Sequence, residues 1–311
     1  MSAREIFNKG MKYLSEPAYR FAVNAILGFY DNMPDDEFIR KQYFLVFGRK
    51  VNLENPVTFY DKIQWLKIHD RNPEYNRIVD KYEAKIHAAN LIGEEYIIPS
   101  YGVWENFDDI DFDALPNQFV LKCTHDSGSL VVVRDKNSHD MKQSRQFLEK
   151  RLRRNLYRYA REWVYKDVKP RILAEKYMEE AAGDALIDYK FLCFNGTPKF
   201  CEVITDRWTD ESTDFFDMNW KHLDLMDLSN LAGQEHNNLR QPDRPKNFEL
   251  MAEFATILAR DTIFRRVDFY EIKGKVYFGE ITFYPCAGLV LLAPDKWNKI
   301  LGDMIVLPTE R

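Results

Sequence analysis

The sequence predicts an α+β protein in which a mainly helical first part precedes two lobes of antiparallel strands. Helical periodicity dominates the first hundred residues, and hairpin signatures dominate the remainder. A polar segment around Glu180 separates the two hairpin-rich stretches. The expected lobes are residues 1–110, mainly helical, 111–179, central, and 180–311, C-terminal.

Residues 18–30 are apolar with scattered polar positions, and residues 58–70 place Phe59, Ile63, Leu66 and Ile68 near helical spacing behind Thr58 as a cap. A third helix is expected over 75–90, ending before Gly93, and then a short strand over 96–99. Phe119-Val120-Leu121-Lys122-Cys123 and Leu130-Val131-Val132-Val133 are β-rich runs joined by the small, polar loop 124–129. A charged helix over 141–159 and a strand over 171–178 complete the central lobe. In the last lobe, Asn195-Gly196 between two alternating runs is the strongest short hairpin signal a sequence offers. A helix over 248–260 and a second hairpin over 266–282, turning at Gly274, follow a polar stretch at 230–245.

With 311 residues, 45% of them hydrophobic and 14% aromatic, the chain buries a sizeable core, which excludes a disordered protein. A net charge of -5 creates no global field for a nucleic-acid backbone. The start, Met1-Ser2-Ala3-Arg4-Glu5, has no charged-then-apolar layout, and no apolar run approaches the roughly 18 residues of a membrane span, so a cytoplasmic protein is expected. Cys123, Cys193, Cys201 and Cys286 form no C-x-x-C pair and read as buried free thiols; the six histidines show no metal-ligand spacing.

The chemistry concentrates in the second hairpin. A three-residue loop, Lys273-Gly274-Lys275, sets Asp268 opposite Glu280 on one face, and two like charges so placed want a compensating cation such as Mg²⁺. A two-residue Lys273-Gly274 turn, the commonest kind, shifts the register and sends the two acids to opposite faces. Lys122 and Lys190 sit among apolar strand residues, where they either meet an anion such as phosphate or point from a half-exposed sheet. The basic residues Lys150, Arg151, Arg153, Arg154, Arg158 and Arg161 either meet an acidic substrate or form a solvated helix face with ion pairs to Glu149 and Glu162, and the charge pattern favours the second.

Five strings in order resemble the ATP-grasp superfamily, in particular the TupA-like group named for teichuronopeptide biosynthesis. They are residues 55–67 (N-P-V-T-F-Y-D-K-I-Q-W-L-K), Val79-Asp80-Lys81-Tyr82, the run 119–128, Asp188-Tyr189-Lys190-Phe191 and Val267-Asp268-Phe269-Tyr270. The resemblance covers about residues 55–308 and implies a fold in which two antiparallel lobes clasp ATP.

It further implies that Lys81 and Lys122 contact the phosphates while the 124–129 loop, with Ser127 and Gly128, closes over them. The hinge from Glu175 to Met178 meets adenine largely through backbone groups, with Tyr177 and Met178 at its edge; Asp188 belongs to the same nucleotide set, and Glu180 or Asp184 holds the ribose. Asp268 and Glu280 fall where the family keeps two metal-ligand carboxylates, which favours the facing arrangement, while the family's third ligand, an Asn, is Thr282 here. Arg266 and Lys190 attend the transferring phosphoryl group. The implied reaction joins a carboxylate, by family resemblance a sugar acid of a surface polysaccharide, to an amine through an acylphosphate, with ATP and Mg²⁺. The competing readings are phosphoryl transfer to a hydroxyl, a glycosyltransferase, and a nucleotide-binding module without catalysis.

Overall fold

The computed structural model describes residues 3–179, 186–206, 211–227 and 241–308. Residues 3–92 are mainly helical, over Ala3–Ser15, Pro17–Ile26, Asp35–Phe47, Phe59–His69, Glu74–Val79 and Lys81–Ile92. Thr58 caps Phe59–His69 as expected: its Oγ1 accepts from the Asp61 N–H, and the Asp61 carboxylate accepts from the Thr58 N–H. The single helix expected over 75–90 is two helices. Asp80 breaks it by capping the second, its Oδ1 accepting from the N–H groups of Tyr82 and Glu83 at 3.0 and 3.1 Å.

The strands are β1 (Ser100–Trp104), β2 (Phe119–Cys123), β3 (Leu130–Val133), β4 (Ile172–Lys176), β5 (Asp188–Phe194), β6 (Thr197–Thr205), β7 (Ser212–Asp217), β8 (Met226–Asp227), β9 (Phe264–Ile272), β10 (Lys275–Thr282) and β11 (Leu292–Ala293). They form a four-stranded sheet, β1-β4-β2-β3, a five-stranded sheet, β10-β9-β5-β6-β7, and the small pair β11-β8, all antiparallel. The strand expected at 96–99 lies a few residues later. Glu94–Tyr96 turns instead, and β1, inside the segment expected to be helical, pairs with β4.

The Asn195-Gly196 turn joins β5 to β6 with both residues at positive φ, 48° and 77°, the conformation that matches strand twist. The charged stretch is also two helices, Met141–Leu152 and Leu156–Ala160, because Asn155 accepts from the Tyr157 N–H and starts the second. A third helix in this half, Phe248–Leu258, lies on the five-stranded sheet.

The N-terminal helices and the five-stranded sheet share one core, in which Tyr60, Ile63 and Ala88 meet Phe191, Phe269 and Phe278. The four-stranded sheet has its own core of Phe119, Leu121, Ile172 and Ala174 closed by Leu148. Only the link from β4 to β5 joins the sheets directly, and residues 180–185 of it lie outside the described set. Three cysteines are buried as expected, but Cys286 is exposed. No helix among the described residues is long and apolar enough to cross a membrane.

Candidate active site

The five-stranded sheet brings its charged residues into one cross-strand row. Glu280 of β10 faces Asp268 of β9, Asp268 faces Lys190 of β5, and Lys190 faces Glu202 of β6. The connection between β9 and β10 is the two-residue turn, with Lys273 and Gly274 at φ 51° and 73° and Ile272 paired to Lys275. That turn alone sends the acids to opposite faces, so the three-residue loop of the sequence reading is corrected. A bulge between Phe278 and Glu280 restores the facing pair, since Gly279 is an extra residue without a partner. A Cβ on Gly279 would lie 3.0 Å from the Asp268 carbonyl oxygen, and the closeness of the two backbones explains the glycine.

Asp268 is buried and fully engaged. Arg266 donates from Nε to Oδ1 and from Nη2 to Oδ2, both at 2.8 Å, and Lys190 donates to Oδ2 at 2.7 Å. The same Arg266 Nη2 lies 3.3 Å from Glu280 Oε1 and 3.2 Å from Thr282 Oγ1. Burial pushes the Asp268 carboxyl up, but Arg266 and Lys190 outweigh it and hold it below the usual range. Glu280 is only half-buried, with a side chain 39% exposed; the partial burial raises its carboxyl, but Lys81, whose Nζ lies 3.9 Å from Oε2, leads the cations that hold it below the usual range. Lys190 is therefore no half-exposed strand lysine: it is buried, and despite burial and Arg266 its ammonium is held up by Asp268, Asp188 and Glu202.

Across the cleft, Glu175 of β4 binds two lysines, Lys122 of β2 through Oε1 and Lys85 of the helix Lys81–Ile92 through Oε2 at 2.9 Å. Burial raises the Glu175 carboxyl, yet these two cations lower it to about 2. Lys85 moves the other way: burial lowers it, and the one carboxylate it shares with Lys122 does not compensate. Lys85 was missed in the sequence. Its signal was the i, i+4 spacing from Lys81, which puts both ammonium groups on one side of a helix.

The 124–129 loop is tied from two sides. Lys81 donates its N–H to the Thr124 carbonyl and its Nζ to the Asp126 carbonyl, at 2.9 and 2.6 Å. Arg151 donates to the Gly128 carbonyl at 2.9 Å and lies 3.2 Å from the Asp126 carboxylate, which leaves Ser127 and Gly128 exposed at the tip. The basic stretch is thus only partly a solvated face. Glu149 pairs with Arg145, Arg158 with Asp31, and the buried Arg161 with Asp35.

Between the sheets lies a cleft of about 310 Å³. Ile98, Val120, Leu130, Val132, Leu186 and Met178 line it as apolar groups with Tyr177 and Tyr270, and Lys122, Arg134, Glu175, Lys176 and Asp188 are its charged lining. It suits a flat apolar group joined to a polyanion. Glu180 and Asp184, the alternatives for a ribose contact, lie outside the described residues.

Among the described residues no group of three or more His, Cys, Asp or Glu could hold a metal. Asp268, Glu280 and the Thr282 hydroxyl nevertheless present hard oxygen donors on one face, a set that fits Mg²⁺, which takes few protein ligands and completes its shell with phosphate and water.

Two antiparallel sheets enclose a cleft whose lining mixes apolar residues with cations and acids, the architecture of a two-lobed clasp. Residues 61–306 match the TupA-like ATPgrasp family, and the chain belongs to it. No curated protein matches the sequence. Among solved structures, D-alanine–D-alanine ligase from Bacillus anthracis is 18% identical with a TM-score of 0.41, over 73% of this chain and 65% of that one. The Helicobacter pylori D-alanine–D-alanine ligase is 18% identical at TM-score 0.38, over 74% and 61%. A RimK domain ATP-grasp protein from Sphaerobacter thermophilus is 10% identical at TM-score 0.38, over 74% and 69%. The chain spans less than two thirds of the length of these two D-alanine–D-alanine ligases.

Proposed function

We propose that the protein is an ATP-dependent carboxylate–amine ligase, working in the cytoplasm, that attaches an amino acid or other amine to a sugar acid in surface polysaccharide biosynthesis. The observation that carries this reading is the run of cations, Lys122, Lys81, Lys190 and Arg266, leading from the apolar cleft to the paired acids Asp268 and Glu280. The polysaccharide substrate rests on the resemblance to the teichuronopeptide group.

Adenine takes the apolar part of the cleft beside Tyr177 and Met178, with backbone groups of the hinge at its edge and Asp188 among the lining residues. Lys81 and Lys122 meet the phosphates, and the tip at Ser127 and Gly128 offers N–H donors above them. Glu175 holds Lys122 and Lys85 in place. An oxygen of the acceptor carboxylate attacks the γ-phosphorus, ADP leaves, and an acylphosphate forms. The amine then attacks the acyl carbon, inorganic phosphate leaves, the nitrogen gives up a proton, and an amide remains. Arg266 and Lys190 stabilise the charge on the phosphoryl oxygens in flight. Magnesium on Asp268 and Glu280, with Thr282 beside them, would neutralise the phosphate oxygens and orient them.

ATP-dependent ADP release, screened over amino acids paired with sugar acids and read by mass spectrometry, tests this. An amide product is expected, and EDTA should abolish turnover. Phosphorylated acceptor without amide would assign phosphoryl transfer to a hydroxyl. Thermal stabilisation by UDP-sugars but not by ATP would overturn the reading.

A further inference from the structure

Asp268 and Glu280 do not stand open as a metal site. Both Asp268 oxygens carry cationic donors, Arg266 Nε on Oδ1 and Arg266 Nη2 with Lys190 Nζ on Oδ2. Glu280 Oε1 faces Arg266 Nη2, and Oε2 faces Lys81. Arg266 is largely buried, with a side chain 12% exposed, so leaving these carboxylates costs it buried partners.

Resting on the ATP reading above, we infer that Arg266 is a resident counter-cation: it occupies the metal-binding carboxylates until a polyphosphate draws it away, so that divalent metal and nucleotide enter the site together. A bare divalent cation arriving at Asp268 must displace the guanidinium from Oδ1, and the displaced charge then loses its two-point partner and keeps only Glu202 and Glu280 nearby. A nucleotide removes that penalty, because phosphate offers Arg266 the same two-point acceptor geometry that carboxylate does. Lys190 follows the same logic from β5, and Lys81 from the loop side, where its second partner is the Asp126 carbonyl. Each ligand therefore makes room for the other, and the coupling is reciprocal. The arrangement also keeps the two acids, which would repel each other, compatible with a folded, ligand-free protein.

The test needs no nucleotide. Binding of Mn²⁺ alone is followed by the loss of its free-ion electron paramagnetic resonance signal, in wild type, Arg266→Gln and Arg266→Lys, with folding checked by circular dichroism. Arg266→Gln should bind Mn²⁺ about tenfold more tightly than wild type, within the usual range of coupling between two sites, and Arg266→Lys should fall between. The gain should vanish in the Arg266→Gln/Asp268→Asn double variant. The same Arg266→Gln protein should bind ATP in EDTA more weakly than wild type. Mn²⁺ affinity equal to or below that of wild type in both single variants overturns the inference. Failure of wild type to bind Mg·ATP overturns the ATP reading instead, and leaves the Mn²⁺ comparison standing by itself.

Discussion

Glu280 stands opposite Asp268 because of a bulge, not because of the turn that joins their strands. Gly279 is looped out of the ladder, and its missing side chain lets the chain pass 3.0 Å, measured to where a Cβ would lie, from the Asp268 carbonyl oxygen. The candidate metal site thus depends on a residue that contributes no ligand.

Gly279→Ala should therefore weaken Mg·ATP binding while leaving the cleft walls unchanged. The added methyl presses on backbone, which has little room to yield, and should cost about 1–3 kcal/mol of stability. Calorimetric titration with Mg·ATP and urea unfolding read the two effects. Wild-type affinity in this variant would show that the bulge is incidental.

Removing the acids separates them by burial. Asp268→Asn takes from the buried Arg266 and Lys190 the carboxylate both donate to, leaving them only Glu202, Asp188 and Glu280 nearby, so it should lose about 3 kcal/mol in metal-free urea unfolding. This reverses the expectation from like-charge repulsion alone, which makes either variant at least as stable as wild type. Glu280→Gln, at a side chain 39% exposed, should be close to neutral in stability. Both should lose turnover by orders of magnitude. Equal stability of Asp268→Asn and wild type would mean that the contacts of Arg266 and Lys190 with Asp268 are not stabilising.

The two strand lysines should also part company. Lys122 has a side chain 25% exposed toward the cleft, so Lys122→Ala should weaken ATP binding and keep the fold. Lys190 is buried against Asp268, and Lys190→Ala should weaken ATP binding and lower the melting temperature together. Unchanged nucleotide affinity in both would remove them from the phosphate path.

Acid stability should report Glu175. Its carboxyl lies lower in the folded chain, about 2 against an ordinary 4.5, so its contribution is complete above pH 4.5 and is lost as pH falls toward 2. That contribution is about 3 kcal/mol. Glu175→Gln should flatten the fall in unfolding free energy across that window. It should also destabilise the protein at neutral pH, since Lys85 loses its buried partner. The same slope in both proteins would assign the acid limb to other carboxylates.

What could be read from the residues alone was whatever neighbours in the chain decide. Thr58 capping through Asp61, the Asn195-Gly196 turn, the runs of β2 and β3 around a small polar loop, and the five family strings are short-range patterns, and the resemblance those strings carry is what proposes roles for Lys81, Lys122, Lys190, Arg266, Asp268 and Glu280. Two helices broke where Asp80 and Asn155 preferred to cap, because the periodicity of apolar residues does not register a polar side chain competing for backbone N–H groups. The tertiary structure alone decided the rest. Lys85 meets Glu175 across 90 positions, Arg151 reaches back to Gly128 across 23, and Glu280 regains Asp268 through one extra residue whose effect on register appears only when two strands pair. Charges that lie apart in sequence acquire a common environment only when the sheets close, and burial then converts ordinary lysines and acids into a matched set.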